Sequence, residues 1–104
     1  MKFAVGVCVF SIFSATAVAD FMDGKSLLMY CRGSNADAKG ICMGYITGVA
    51  DAISRNLCFP KEINTNLVVQ IVIQHVERSP GAAQLSGESL VTNALKNAYP
   101  CKKR

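Results

Sequence analysis

The chain has 104 residues, 51% of them hydrophobic and 17% charged, with a formal net charge of +4 and no tryptophan. That length sets one small domain with a modest core. The basic excess is small and is not interleaved with aromatic residues, which argues against nucleic-acid binding.

Residues 1–19 read MKFAVGVCVFSIFSATAVA. Lys2 precedes an apolar run over residues 3–13, and small residues lead to Ala17-Val18-Ala19. This is the layout of a cleavable signal peptide with its cut before Asp20. The apolar run is too short to favour a membrane-spanning reading. Cleavage leaves residues 20–104, 85 in number, carrying 10 basic and 7 acidic residues. No later apolar run reaches membrane-spanning length, so the mature protein is expected to be soluble, with no membrane contact. Part of its charge is the tail Lys102-Lys103-Arg104, either a solvated end or a handle for an acidic partner.

The leader changes the reading of the cysteines. Cys8 leaves with it, and Cys31, Cys42, Cys58 and Cys101 remain. An even number in a short secreted chain predicts disulfides rather than metal ligands or nucleophiles.

Four helices are predicted. The first covers residues 23–31, with Leu27, Leu28 and Cys31 on one face and Asp23 as N-cap. Residues 32–40, RGSNADAKG, have loop composition. The second helix is predicted over residues 41–57, where Cys42, Ile46, Val49, Ile53 and Leu57 recur at spacings of three and four. A second row holds Gly40, Gly44, Gly48 and Ala52. Each glycine costs a helix about 1 kcal/mol relative to alanine. Close approach of another helix is the expected reason, either inside the chain or at a dimer seam. Asp51 and Arg55 mark this helix as soluble.

Pro60 follows the second helix and cannot continue it. The third helix opens at Asn64 or Thr65 and runs through Leu67, Val68, Val69, Ile71, Val72, Ile73 and Val76. Its β-branched content also suits a buried strand. Its length, and the polar sector of Gln70, Gln74, Glu77 and Arg78, favour helix. The apolar sector is wide, as for a helix central in the core or covered by a partner. Residues 79–87, SPGAAQLSG, carry the turn signal Pro80-Gly81 and suit an exposed loop. The fourth helix starts near Ser86, places Leu90, Val91, Ala94, Leu95, Ala98 and Tyr99 in one stripe, and stops at Pro100.

Short connections favour antiparallel neighbours, so the expected fold is all-α: a small four-helix up-down bundle stapled by two disulfides. Bridged cysteines need Cα atoms within about 7 Å. The helix ends on which they lie predict Cys31–Cys42 and Cys58–Cys101.

No constellation for catalysis emerges. His75 is the only histidine and lies in an apolar helix. A Cys–His pair needs a free thiol, which oxidation removes. Asp51 lacks an acidic partner for paired-carboxylate hydrolysis. There is no CxxC pair and no glycine-rich phosphate loop. The residues predict a protein that is not an enzyme, carries no metal or cofactor, and works by binding.

The blocks Leu27-Leu28-Met29-Tyr30-Cys31, Cys42-Met43-Gly44-Tyr45-Ile46-Thr47-Gly48-Val49, Cys58-Phe59-Pro60, Ser89-Leu90-Val91 and Ala98-Tyr99-Pro100-Cys101 resemble the Rap/Tai family of periplasmic immunity proteins. The resemblance spans nearly the whole mature chain. It implies a small helical periplasmic protein, often a homodimer, that protects a bacterium from peptidoglycan amidases delivered by type VI secretion. The toxin it implies is a papain-like Cys–His amidase whose cleft is blocked partly by an inserted loop. By position, the matching residues here are Arg78, Ser79, Pro80, Gly81, Ala82, Ala83, Gln84, Leu85 and Ser86. Arg78, Gln84 and Leu85 are the expected anchors; the competing reading of this loop is an inert connector. A homodimer along the third helix would present two such loops. Two further readings compete: a small periplasmic chaperone of the acid-stress type, and a structural subunit of an envelope complex. Against the chaperone, one histidine does not make a multi-histidine switch.

Overall fold

Each helix begins where a polar side chain accepts a backbone N–H that the helix itself leaves free. The computed structural model describes residues 21–102. The leader expected over residues 1–19, Cys8 with it, and the last two residues of the basic tail lie outside the described residues. Helix α1 is Gly24–Arg32, α2 is Ala36–Ile53, α3 is Thr65–Arg78 and α4 is Gly87–Ala98. Asp23 accepts from the Ser26 N–H at 2.7 Å, and Asn35 from Ala38 at 2.7 Å. Asn64 accepts from Leu67 at 3.0 Å, and the Ser86 hydroxyl from Ser89 at 3.1 Å. Short 3₁₀ turns at Ser54–Asn56 and Pro80–Gln84 follow α2 and α3. The result is an all-α four-helix bundle stapled by two disulfides.

One stripe of each helix makes the core. Leu27 and Leu28 come from α1, Cys42, Ile46 and Ala50 from α2, Val68, Val72 and Val76 from α3. Leu90, Val91, Ala94 and Leu95 come from α4. Full burial of a leucine side chain contributes about 1.5–3 kcal/mol, so Leu27, Leu90 and Leu95 are principal anchors. No buried side-chain nitrogen or oxygen among the described residues lacks a partner.

The bridges are Cys31–Cys42, with Cα atoms 4.9 Å apart, and Cys58–Cys101, at 5.0 Å. Both are the pairs predicted from the helix ends. The ambiguous third segment is helical. Its valines at i, i+4 and i+8 point inward, while Val69, Ile71 and Ile73 are half-buried and Leu67 stays 41% exposed.

Three expectations need correction. The loop assigned to residues 32–40 shrinks to residues 33–35, because α2 starts five residues earlier than its apolar periodicity. Asn35 caps that start and Asp37 occupies the first turn, where a negative charge is favourable. At the other end α2 gives way to a 3₁₀ turn at Ser54 instead of running to Leu57. The glycine row, lastly, packs against nothing among the described residues, so the close approach expected inside the chain is not there. A Cβ built on Gly40, Gly44 or Gly48 meets no heavy atom within 4 Å. The row shares a solvent-facing side of α2 with Ala52, while the opposite side carries Ile46 and Ala50.

Candidate functional site

The connection between α3 and α4 is an ordered turn rather than a slack loop. The Ser79 N–H closes α3 on the His75 carbonyl at 2.9 Å. Pro80, with its fixed φ, opens the 3₁₀ turn, held by Ala82 N–H to Ser79 O at 2.9 Å and Leu85 N–H to Ala82 O at 3.1 Å. Ala82 is buried and Ala83 half-buried against the core, so the turn is anchored from beneath.

A second set of bonds ties the turn to the start of α1. The Gly24 N–H donates to the Leu85 carbonyl at 2.7 Å, and the Gly87 N–H donates to the Met22 carbonyl at 2.7 Å. Together they form an isolated antiparallel bridge between Asp23 and Ser86. The bridge is adjacent to two helix caps, since Asp23 caps α1 and Ser86 caps α4. Asp23 is held below its ordinary carboxylate value of 3.8. The Ser26 backbone N–H is the main cause, followed by the Ser26 hydroxyl; some desolvation opposes it, and Lys25 adds a smaller pull downward.

Of the nine residues assigned to partner binding, Arg78, Ser79, Pro80, Gly81, Gln84 and Leu85 are exposed. Ala82, Ala83 and Ser86 face inward to differing degrees and serve as support. Open space surrounds Gly81, where an added Cβ meets nothing within 4 Å. Leu85, 37% exposed, is the apolar residue of this surface, and Arg78 its only formal charge. Such a surface offers hydrogen bonding, a small apolar contact and one cation. It holds no nucleophile paired with a base.

Sequence reasoning missed the segment Met22-Asp23-Gly24, which was read only as a helix cap. The sole signal was Gly24 at the first helical position, a place where many residues fit. His75, for which the sequence offers no catalytic partner, lies half-buried on α3. Among the described residues no group of three or more His, Cys, Asp or Glu is placed to hold a metal ion. Among them, too, no helix is long and apolar enough to cross a membrane.

Fold and site define a small, disulfide-stapled helical protein that presents a fixed turn to its surroundings. A family model of the Rap1a immunity proteins matches residues 23–101, and the chain belongs to that family. The match begins at the Asp23 cap and ends at the last bridged cysteine. Membership carries an immunity role and, with it, a toxin protein as binding partner. No curated protein and no solved structure matches the chain significantly.

Proposed function

We propose that this protein is a periplasmic immunity protein that binds a type VI secretion peptidoglycan amidase and blocks its active-site cleft with residues 78–86. The family match over residues 23–101 carries this reading. The geometry adds support, because the turn already has a fixed shape on a buried base. Less freedom is then lost on binding than for a slack loop. The exposed residues at its tip are small, as entry into a narrow cleft requires. The leader motif and two disulfides suit an oxidising envelope compartment. An inhibitor of this kind needs no chemistry of its own, only occlusion of the toxin's Cys–His pair.

The same reading includes pairing of two copies, for which the exposed glycine row favours a seam on α2 over the third-helix seam expected from the sequence. Gly40, Gly44 and Gly48 each weaken an exposed helix by about 1 kcal/mol with no compensating contact among the described residues. A flat face of small residues lets a second backbone come close. Gly44, Gly48 and Ala52 also line a mainly apolar groove with Tyr45, Val49, Ile53 and Glu88, which extends the contact.

The test is co-expression in the periplasm with a type VI secretion peptidoglycan amidase of the Cys–His class, scored by lysis. Rescue that depends on this chain is the expected result. Continued lysis with the protein folded and present would exclude that toxin.

A further inference from the structure

Resting on the reading of residues 78–86 as the toxin-facing turn, we propose that Met22-Asp23-Gly24 is a strap that sets the turn's position, with Gly24 as its positioning residue. The strap is tied to the turn through backbone hydrogen bonds, with the Met22 side chain lying against Gly87. Gly24 and Gly87 donate the two hydrogen bonds of the bridge, each at 2.7 Å, to Leu85 and Met22. Gly24 is itself buried under the turn. A Cβ there would lie 2.7 Å from the Ala83 carbonyl oxygen and 2.9 Å from that of Leu85. Both obstacles are main chain, so no rotamer change relieves them. Either the turn lifts or the strap withdraws.

The other side of the strap is fixed to the frame. Asp23 caps α1 through Ser26, and Leu27 and Leu28 follow within two helical turns, both buried. The core therefore fixes α1, α1 fixes the strap, and the strap fixes Gln84 and Leu85. Gly87 closes the same contact from the other strand. A Cβ on Gly87 would meet the Met22 carbonyl oxygen and the Tyr45 hydroxyl at 3.0 Å, a tighter fit than usual but a milder one than at Gly24. The strap acts through the turn, so its loss changes recognition without removing a contact to the toxin.

Amide exchange and inhibition, measured on the full mature protein, test this together. In the wild type the Gly24 and Gly87 amides should exchange with the slow amides of α1 and α4. Gly24→Ala should keep its helical content and both disulfides, speed Gly87 exchange at least tenfold, and weaken inhibition of the Cys–His amidase that the wild type neutralises at least tenfold. Gly87→Ala should move both readouts the same way by less. Wild-type amides that exchange like free chain would overturn the strap. So would a Gly24→Ala protein with fast exchange and undiminished inhibition. Should Gly24→Ala fail to fold, wild-type exchange and Gly87→Ala decide the matter. A wild type that keeps protected amides but neutralises no such amidase upholds the strap and refutes the toxin reading.

Discussion

Among the described residues two isolated β-bridges join distant parts of the chain, and they are built differently. Leu57 pairs with Pro100, and the contact is reinforced by the Cys58–Cys101 disulfide, by the Cys58 N–H donating to the Tyr99 carbonyl at 3.0 Å, and by the edge-to-face contact of Phe59 and Tyr99. Asp23 pairs with Ser86 with no covalent link, held by two backbone hydrogen bonds and the missing side chain of Gly24. The first bridge clasps the frame. The second positions the turn proposed to meet the partner. A covalent staple protects what must not open, whereas the proposed recognition element rests on contacts that one methyl group upsets. Stability and recognition are therefore separable by mutation.

The largest effect belongs to the stapled side. Cys58 and Cys101 are 43 residues apart in sequence, Cys31 and Cys42 only 11. Loop-closure entropy assigns about 4 kcal/mol to the long link and about 3 to the short one. Cys58→Ala with Cys101→Ala should thus cost more in urea unfolding than Cys31→Ala with Cys42→Ala. A reversed order would mean that the bridge between Leu57 and Pro100 holds without its disulfide. On the recognition side the prediction is the converse. Gln84→Gly with Leu85→Gly should leave the unfolding midpoint near that of the wild type and weaken toxin inhibition at least tenfold. Full inhibition by that variant would remove the turn from the mechanism.

The contrast also explains what was legible in the sequence. Asp23, Asn64 and Ser86 announce helix starts through local chemistry, and the structure has a cap at each. The disulfide pairing followed because cysteines near helix ends can reach few partners. The start of α2 was hidden because Gly33, Ser34 and Asn35 read as loop while Asn35 is in fact a cap. Glycine spacing along α2 was visible, but a spacing of four does not say whether a row faces the core or the solvent. The Asp23–Ser86 bridge left no pattern at all. It is a single pair between distant residues, and neither period two nor period 3.6 can record it. The most functional contact proposed here is therefore the least legible one.

The glycine row sharpens this point with a smaller effect. Gly48→Ala fills open space in an exposed helix and should stabilise the single chain by about 1 kcal/mol. Gly24→Ala, the same substitution at the strap, should not stabilise, because its Cβ meets backbone. If two chains pair along α2, Gly48→Leu should yield monomers at concentrations where the wild type pairs, read by sedimentation equilibrium. Unchanged pairing would move the seam away from α2.

The smallest effect is a pH dependence confined to the unstapled bridge. Asp23 has a folded-state pKa below its ordinary value of 3.8, chiefly because its carboxylate accepts the Ser26 N–H. A depressed carboxylate pKa means that folding favours the ionised form. Its contribution is then complete above pH 3.8 and fades as the pH falls through the lower folded-state value. Asp23→Asn retains a capping acceptor but does not titrate. The stability gap between wild type and Asp23→Asn should be widest above pH 3.8 and close in stronger acid, followed by urea midpoints at stepped pH. The Gly24 and Gly87 amides should lose protection over the same range, while amides beside the Cys58–Cys101 bridge do not. A gap that stays constant into strong acid would show that the charge of Asp23 contributes nothing to the cap. The strap would then depend on its backbone bonds and on Gly24 alone.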